Sequence, residues 1–110
     1  MAVGDAITAI VSVPAGGSVT YQPAAGVEVM IVATQVSDIN TYFYITDGTN
    51  DIVLNPSQNV YGVGRVASGA SGEYRVGAER VFITNSIYLK IVNYNTANAY
   101  NAAYSGIQTK

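Results

Sequence analysis

The chain has 110 residues, 49% of them hydrophobic and only 11% charged, with a formal net charge of −2 and no histidine, cysteine or tryptophan. That composition excludes disulfides, thiolate or imidazole metal sites and an imidazole base. It offers no basic patch for nucleic acid, and no apolar run approaches the ~20 residues that span a bilayer.

Residues 1–110 are read as a single domain with one modest core. Ordinary soluble domains carry about 25% charged residues, so the surface here is short of charge. A folded monomer of this size exposes about 5,800 Å², and twelve charged side chains cover only roughly a fifth of it. A skin of neutral polar and apolar groups suits a subunit partly covered by neighbours.

In chain order, the opening 17 residues lack a positive n-region and place Asp5 ahead of the apolar stretch, so they read as mature protein and not as a signal peptide. Residues 1–6 are read as a contact arm, since small exposed termini order on binding. Residues 6–13 alternate, with Ile7, Ala9, Val11 and Val13 on one face. A short strand follows at 18–22. Residues 27–35 put Val27, Val29, Ile31 and Ala33 inward, with Glu28, Met30, Val32 and Thr34 outward.

Residues 41–47 place Phe43 and Ile45 inward, leaving Tyr42 and Tyr44 outward. Asp47-Gly48 signals a hairpin, with a return strand at 51–54 that Asn55-Pro56 ends. Residues 60–78 hold a strand at 60–66, a Ser/Gly loop at 68–72 and a short strand at 73–76. Strands at 80–84 and 87–94 flank an Asn85-Ser86 turn. A last strand spans 99–109. These predict an all-β fold, an antiparallel jelly-roll-like β-sandwich of about eight short strands. The predicted core comprises Ile7, Val11, Val29, Ile31, Phe43, Ile45, Val81, Ile83, Leu89 and Ile91.

Nine residues are tyrosine. In residues 87–94, Ile87, Leu89 and Ile91 form the core face, so Tyr88, Lys90, Val92 and Tyr94 face out. Residues 99–106 carry Tyr100, Ala102 and Tyr104 on one face. A three- or five-residue loop near residues 96–98 pairs Tyr94 with Tyr100 and Lys90 with Tyr104, giving an outer ladder; a two-residue loop offsets the rows. Tyrosine also has high β-propensity and covers sheet surface well. The set Tyr42, Tyr44, Tyr88, Lys90, Tyr94, Tyr100 and Tyr104 is the candidate contact surface, because tyrosine offers large area at low entropy cost.

Catalytic groups are scarce. The chain has no GxSxG stretch. Asp47 and Asp51 are too few for a calcium loop and lack its terminal glutamate, so they read as turn residues. Residues 62–67 match G-x-G-x-x-A, but the glycines and serines that follow cannot start the helix a dinucleotide site needs. Asn55-Pro56-Ser57 is not a glycosylation acceptor, because proline holds the middle position. Arg65, Arg75 and Arg80 are solvated cations or links to a partner's carboxylates. No enzymatic activity, metal or cofactor is expected.

Residues 13–35 (VPAGGSVTYQPAAGVEVMIVATQ) resemble the opening strands of small tailed-phage virion proteins. Residues 81–110 resemble their closing motif, a strand, an Asn-Ser turn, a YL-I-N pattern and a final YSGIQ. The resemblance implies a non-enzymatic capsid decoration or cement protein on the virion exterior. It also implies a homo-oligomer, most often a trimer, that binds the major capsid protein. The alternative is a tail-fibre or tail-tip module that binds a carbohydrate receptor, with the tyrosines stacking on sugar rings and Asn95, Asn98 and Asn101 as hydrogen-bonding groups.

Overall fold

A computed structural model describes residues 2–38, 40–54, 63–67, 73–77 and 80–110, with the backbone alone described for 63–67 and 73–77. The described residues form strands and no helix. These are β1 (Ala6–Val13), β2 (Ser18–Tyr21), β3 (Val29–Val36), β4 (Thr41–Thr46), β5 (Asp51–Val53), β6 (Val63–Ala67), β7 (Glu73–Gly77), β8 (Val81–Ile83), β9 (Tyr88–Asn93) and β10 (Tyr100–Gln108). The predicted loop at 68–72 and Asn55-Pro56-Ser57 lie outside the described residues, as do the side chains of Arg65 and Arg75.

The strands make two antiparallel sheets. The larger runs β1-β10-β3-β7-β6, with β8 also paired to β3; the smaller runs β2-β9-β4-β5. β7 meets β3 at Thr34 to Val36 and β8 meets it at Val29 to Ile31, so the two lie end to end along one edge of β3. Counting them as one position, four positions face four, with β6 added outside. From β1 to β4 and from β8 to β10 successive strands cross between the sheets, while β4–β5 and β6–β7–β8 each stay in one, which is the jelly-roll order.

The core lies between the sheets. Val13, Val29, Ile31, Phe43, Ile83, Leu89 and Ile91 are fully buried, and Val36, Ala102 and Tyr104 nearly so. Of the predicted core, Ile7, Val11, Ile45 and Val81 are partly buried against it. Ile87 is a correction: it precedes β9 in the turn between the sheets and is exposed. Thr84 builds that turn, its hydroxyl accepting from the backbone N–H groups of Ser86 and Ile87 at 3.2 Å each. β8 and β9 therefore belong to different sheets and are not a hairpin.

β3 departs from simple alternation. Its pairing with β10 slips between Ser105 opposite Ala33 and Gly106 opposite Ile31, so Val32 is the extra residue of a bulge. Past the bulge the inward set shifts from Val29 and Ile31 to Thr34 and Val36, all buried. Thr34, expected outward, thus points in. Gly106 is required at the slip, because a Cβ there would come within 2.4 Å of the Met30 carbonyl oxygen.

Asn93 closes one end of the sandwich. Fully buried, it donates through Nδ2 to the carbonyls of Val13 at 3.2 Å and Asn98 at 3.0 Å, and its Oδ1 accepts from Asn95 N at 2.9 Å. A buried amide satisfied in this way ties the end of β1 to β9 across the two sheets.

Two substitutions test this packing. Leu89→Ala should lower unfolding free energy by about 2–5 kcal/mol, as deletion of a buried side chain does. Gly106→Ala should cost about 1–3 kcal/mol, as forced overpacking does. Urea denaturation of both variants checks this; wild-type midpoints would contradict the burial of Leu89 and the close approach at Gly106.

Candidate functional site

The candidate contact residues divide between the two sheets. In the smaller sheet Phe43 points into the core, so Tyr42 and Tyr44 point out by alternation. On β9, Leu89 and Ile91 are buried, so Tyr88, Lys90 and Val92 point out. The register places Val92 opposite Tyr42, Lys90 opposite Tyr44 and Tyr88 opposite Thr46. Tyr94, just past β9, is pinned by its backbone N–H to the Asn40 carbonyl at 2.9 Å. Tyr42, Tyr44, Tyr88, Lys90 and Tyr94 thus share one outer face.

The rings on this face are ordered by each other. Tyr94 meets Tyr42 edge to face, with centroids 5.7 Å apart and planes at 75°. The Tyr44 and Tyr94 hydroxyls share a hydrogen bond of 2.6 Å. Lys90 Nζ donates to Asp51 Oδ2 at 2.8 Å. That hydrogen bond holds the Asp51 carboxyl below and the Lys90 ammonium above its ordinary range, with the Thr46 hydroxyl also favouring the Asp51 carboxylate. The pair neutralises its own charge, so the face presents rings and hydroxyls.

Tyr104 and Tyr100 are corrections. β9 and β10 lie in different sheets, so no ladder joins Tyr94 to Tyr100 or Lys90 to Tyr104. Tyr104 faces the core, stacked on Tyr21 at 5.2 Å and edge-on to Phe43 at 6.4 Å. Tyr100 sits at the start of β10 opposite the buried Val13, half-buried at the end of the core-facing row. One signal in the sequence could have found this. The alternate face of β10 is Asn101, Ala103, Ser105 and Ile107, more polar than Tyr100, Ala102 and Tyr104 and so better suited to water.

The remaining polar groups serve the backbone. Asp47 Oδ1 accepts from the N–H groups of Thr49 at 2.8 Å and Asn50 at 2.6 Å, holding the β4–β5 turn with Gly48 at φ +96°. Those bonds keep its carboxyl below the ordinary range. Asn95 Oδ1 accepts from Ala97 N at 2.9 Å and Asn98 N at 3.0 Å. Asn101 lies on the outer face of the larger sheet. A groove of about 300 Å³ on that face, beside Ile10, Gln35 and Ala103, has no titratable group among the described residues of its lining.

No protein-family model matches the chain, and no curated protein matches its sequence.

The tyrosines set the alkaline limit of stability. Burial raises the hydroxyl pKa of Tyr44, Tyr21 and Tyr104 above 10.0; the Tyr94 hydrogen bond adds to the effect on Tyr44, and the neighbouring Tyr21 adds to that on Tyr104. A raised folded-state pKa contributes stability that is complete below the unfolded value and lost as pH rises through the folded one. Lys90 adds a loss of the same sign. Asp47 and Asp51, held low, contribute stability that is present above about 3.8 and lost as pH falls further. Urea midpoints should therefore be level from about pH 5 to 9.5 and fall above 10, with Tyr44→Phe and Tyr104→Phe each blunting the alkaline fall. Equal wild-type midpoints at pH 8 and 11 would contradict this.

Proposed function

We propose that the protein is a non-enzymatic structural subunit of a tailed-phage virion, a decoration or cement protein on the capsid exterior that stabilises the assembled shell. The single observation that carries this reading is the outer face of the smaller sheet. There Tyr94 touches both Tyr42 and Tyr44, with Tyr88 on the same face, beside an internally neutralised Lys90–Asp51 pair. Rings already ordered in the free protein lose little side-chain entropy on docking. An aromatic face of this kind fits a broad protein surface better than a small substrate, which calls for a concave site. The likeness of residues 13–35 and 81–110 to small phage virion proteins supports the assignment of the major capsid protein as partner.

The asparagines weigh against the tail-tip carbohydrate reading. Asn95 spends its side-chain carbonyl on its own turn and Asn101 belongs to the opposite sheet, so neither joins the tyrosines to grip a sugar.

By linkage, a subunit that binds the assembled lattice and not free coat protein stabilises the lattice. Particles stripped of the protein should release DNA at a lower temperature than decorated ones, and adding it back should restore the higher value. Tyr44→Ala combined with Tyr94→Ala should fold yet fail to decorate. Binding to particles should change by less than about threefold between low and high salt, as expected of a contact not steered by charge. Equal release temperatures with and without the protein would defeat the cement role, and location at the tail tip would favour the receptor-binding alternative.

A further inference from the structure

We infer that β1 is a self-pairing edge, by which two copies of this chain join antiparallel about a twofold axis at Ile10. The inference stands apart from the reading as a capsid subunit. Among the described residues β1 is hydrogen-bonded to β10 on one side only. It runs eight residues, AITAIVSV, with no charge, proline, glycine or bulge. Natural sheets protect such edges with short strands, charges, proline or bulges. Among the described residues the other sheet edges carry those devices, β8 by its length of three residues. β2 has four residues and is soon followed by Pro23, β5 has three and includes Asp51, and β6 includes Gly64 and Arg65. The exposed β1 edge is the exception.

The sequence of β1 identifies the occupant. Around Ile10 it reads the same in both directions by chemistry: Ala9 and Val11 are small aliphatics, Thr8 and Ser12 carry hydroxyls, and Ile7 and Val13 are β-branched. Antiparallel pairing about a dyad at Ile10 sets Ile10 opposite Ile10, Ala9 opposite Val11, Thr8 opposite Ser12 and Ile7 opposite Val13. Directly opposed residues share a face, so every core-facing residue meets a core-facing one and every outer residue an outer one. A one-residue slip breaks this match.

Ile10, 80% exposed on the free chain, would be covered by its own copy. The ladder stops at Pro14, which has no N–H to give. Seven paired residues make about six to eight backbone hydrogen bonds. The two Asp5 carboxylates stand ten residues out of register, about 33 Å apart and beyond the reach of their repulsion. A twofold contact of this kind closes on itself and stops at two copies, unlike the threefold that the phage resemblance implies.

The test uses the full chain, which has no cysteine of its own. Light scattering at about 100 µM should give twice the monomer mass, at a concentration well above the Kd of a stable pair. Ile10→Lys should keep the wild-type β-sheet circular dichroism but give the monomer mass, and should lose the rise of melting temperature with protein concentration that a dimer shows. Under mild oxidation Ile10→Cys should cross-link into a covalent dimer, because only a residue on the dyad meets itself; Thr8→Cys, set opposite Ser12, should not. A wild-type monomer or trimer, a dimer that survives Ile10→Lys, or equal cross-linking of the two cysteine variants would overturn the inference.

Discussion

Tyr104 reaches from one sheet into the other, and the orientation of the opposite sheet follows from that contact. Its strand, β10, is flanked by β1 and β3 in the larger sheet, while Tyr21 and Phe43, against which it packs, belong to β2 and β4 of the smaller one. Offset and edge-on aromatic contacts favour specific geometries beyond plain burial. With Phe43 fixed inward, the pleat directs Tyr42 and Tyr44 outward. With Tyr21 inward and paired to Leu89, Lys90 and Tyr88 go outward. The aromatic outer surface is thus set by the aromatic interior, and the two use the same residue type for opposite purposes.

Asn93 complements this at the sandwich end. A buried amide left unpaired would cost the fold about 1–3 kcal/mol. Here both amide hydrogens and the carbonyl are satisfied, one hydrogen by the distant Val13 and the other two groups by the nearby Asn98 and Asn95. The same residue gives its backbone N–H to the Gly17 carbonyl, and the next residue, Tyr94, gives its own to Asn40. The position of Tyr94, and with it the hydroxyl contact to Tyr44, depends on this polar joint as much as on packing.

Strand positions were legible from alternation and turn residues, since each depends on neighbours within a few positions. β1 agrees at both ends, and the hairpin at Asp47-Gly48 forms, though through the four residues 47–50 with Gly48 alone at positive φ. The sides taken by the tyrosines of β10 were not legible in the same way. Which sheet a strand joins is decided by partners far along the chain, and pairing β10 with β9 in place of β1 and β3 turned Tyr104 outward. The inward turn of Thr34 depends on the bulge at Val32, which nothing in the alternation of β3 reveals. Five of the seven proposed contact residues converge because they lie on β4 and β9, or just beyond, in one sheet, where the pleat alone decides direction.

The pairing of β1 with β10 has a kinetic consequence. Ala6 faces Ile107 across that ladder, and Val13 faces Tyr100. The first strand therefore has no permanent partner until the last has been synthesised, whereas β3 gains β7 and β8 on one side before β10 arrives on the other. Among the described strands only β4–β5 and β6–β7 can close as local hairpins. A topology so dominated by distant pairings folds in milliseconds to seconds, far more slowly than a helical bundle of this length. During that interval the uncharged β1 segment is without its native neighbour, so chain release from the ribosome and aggregation compete over the same eight residues.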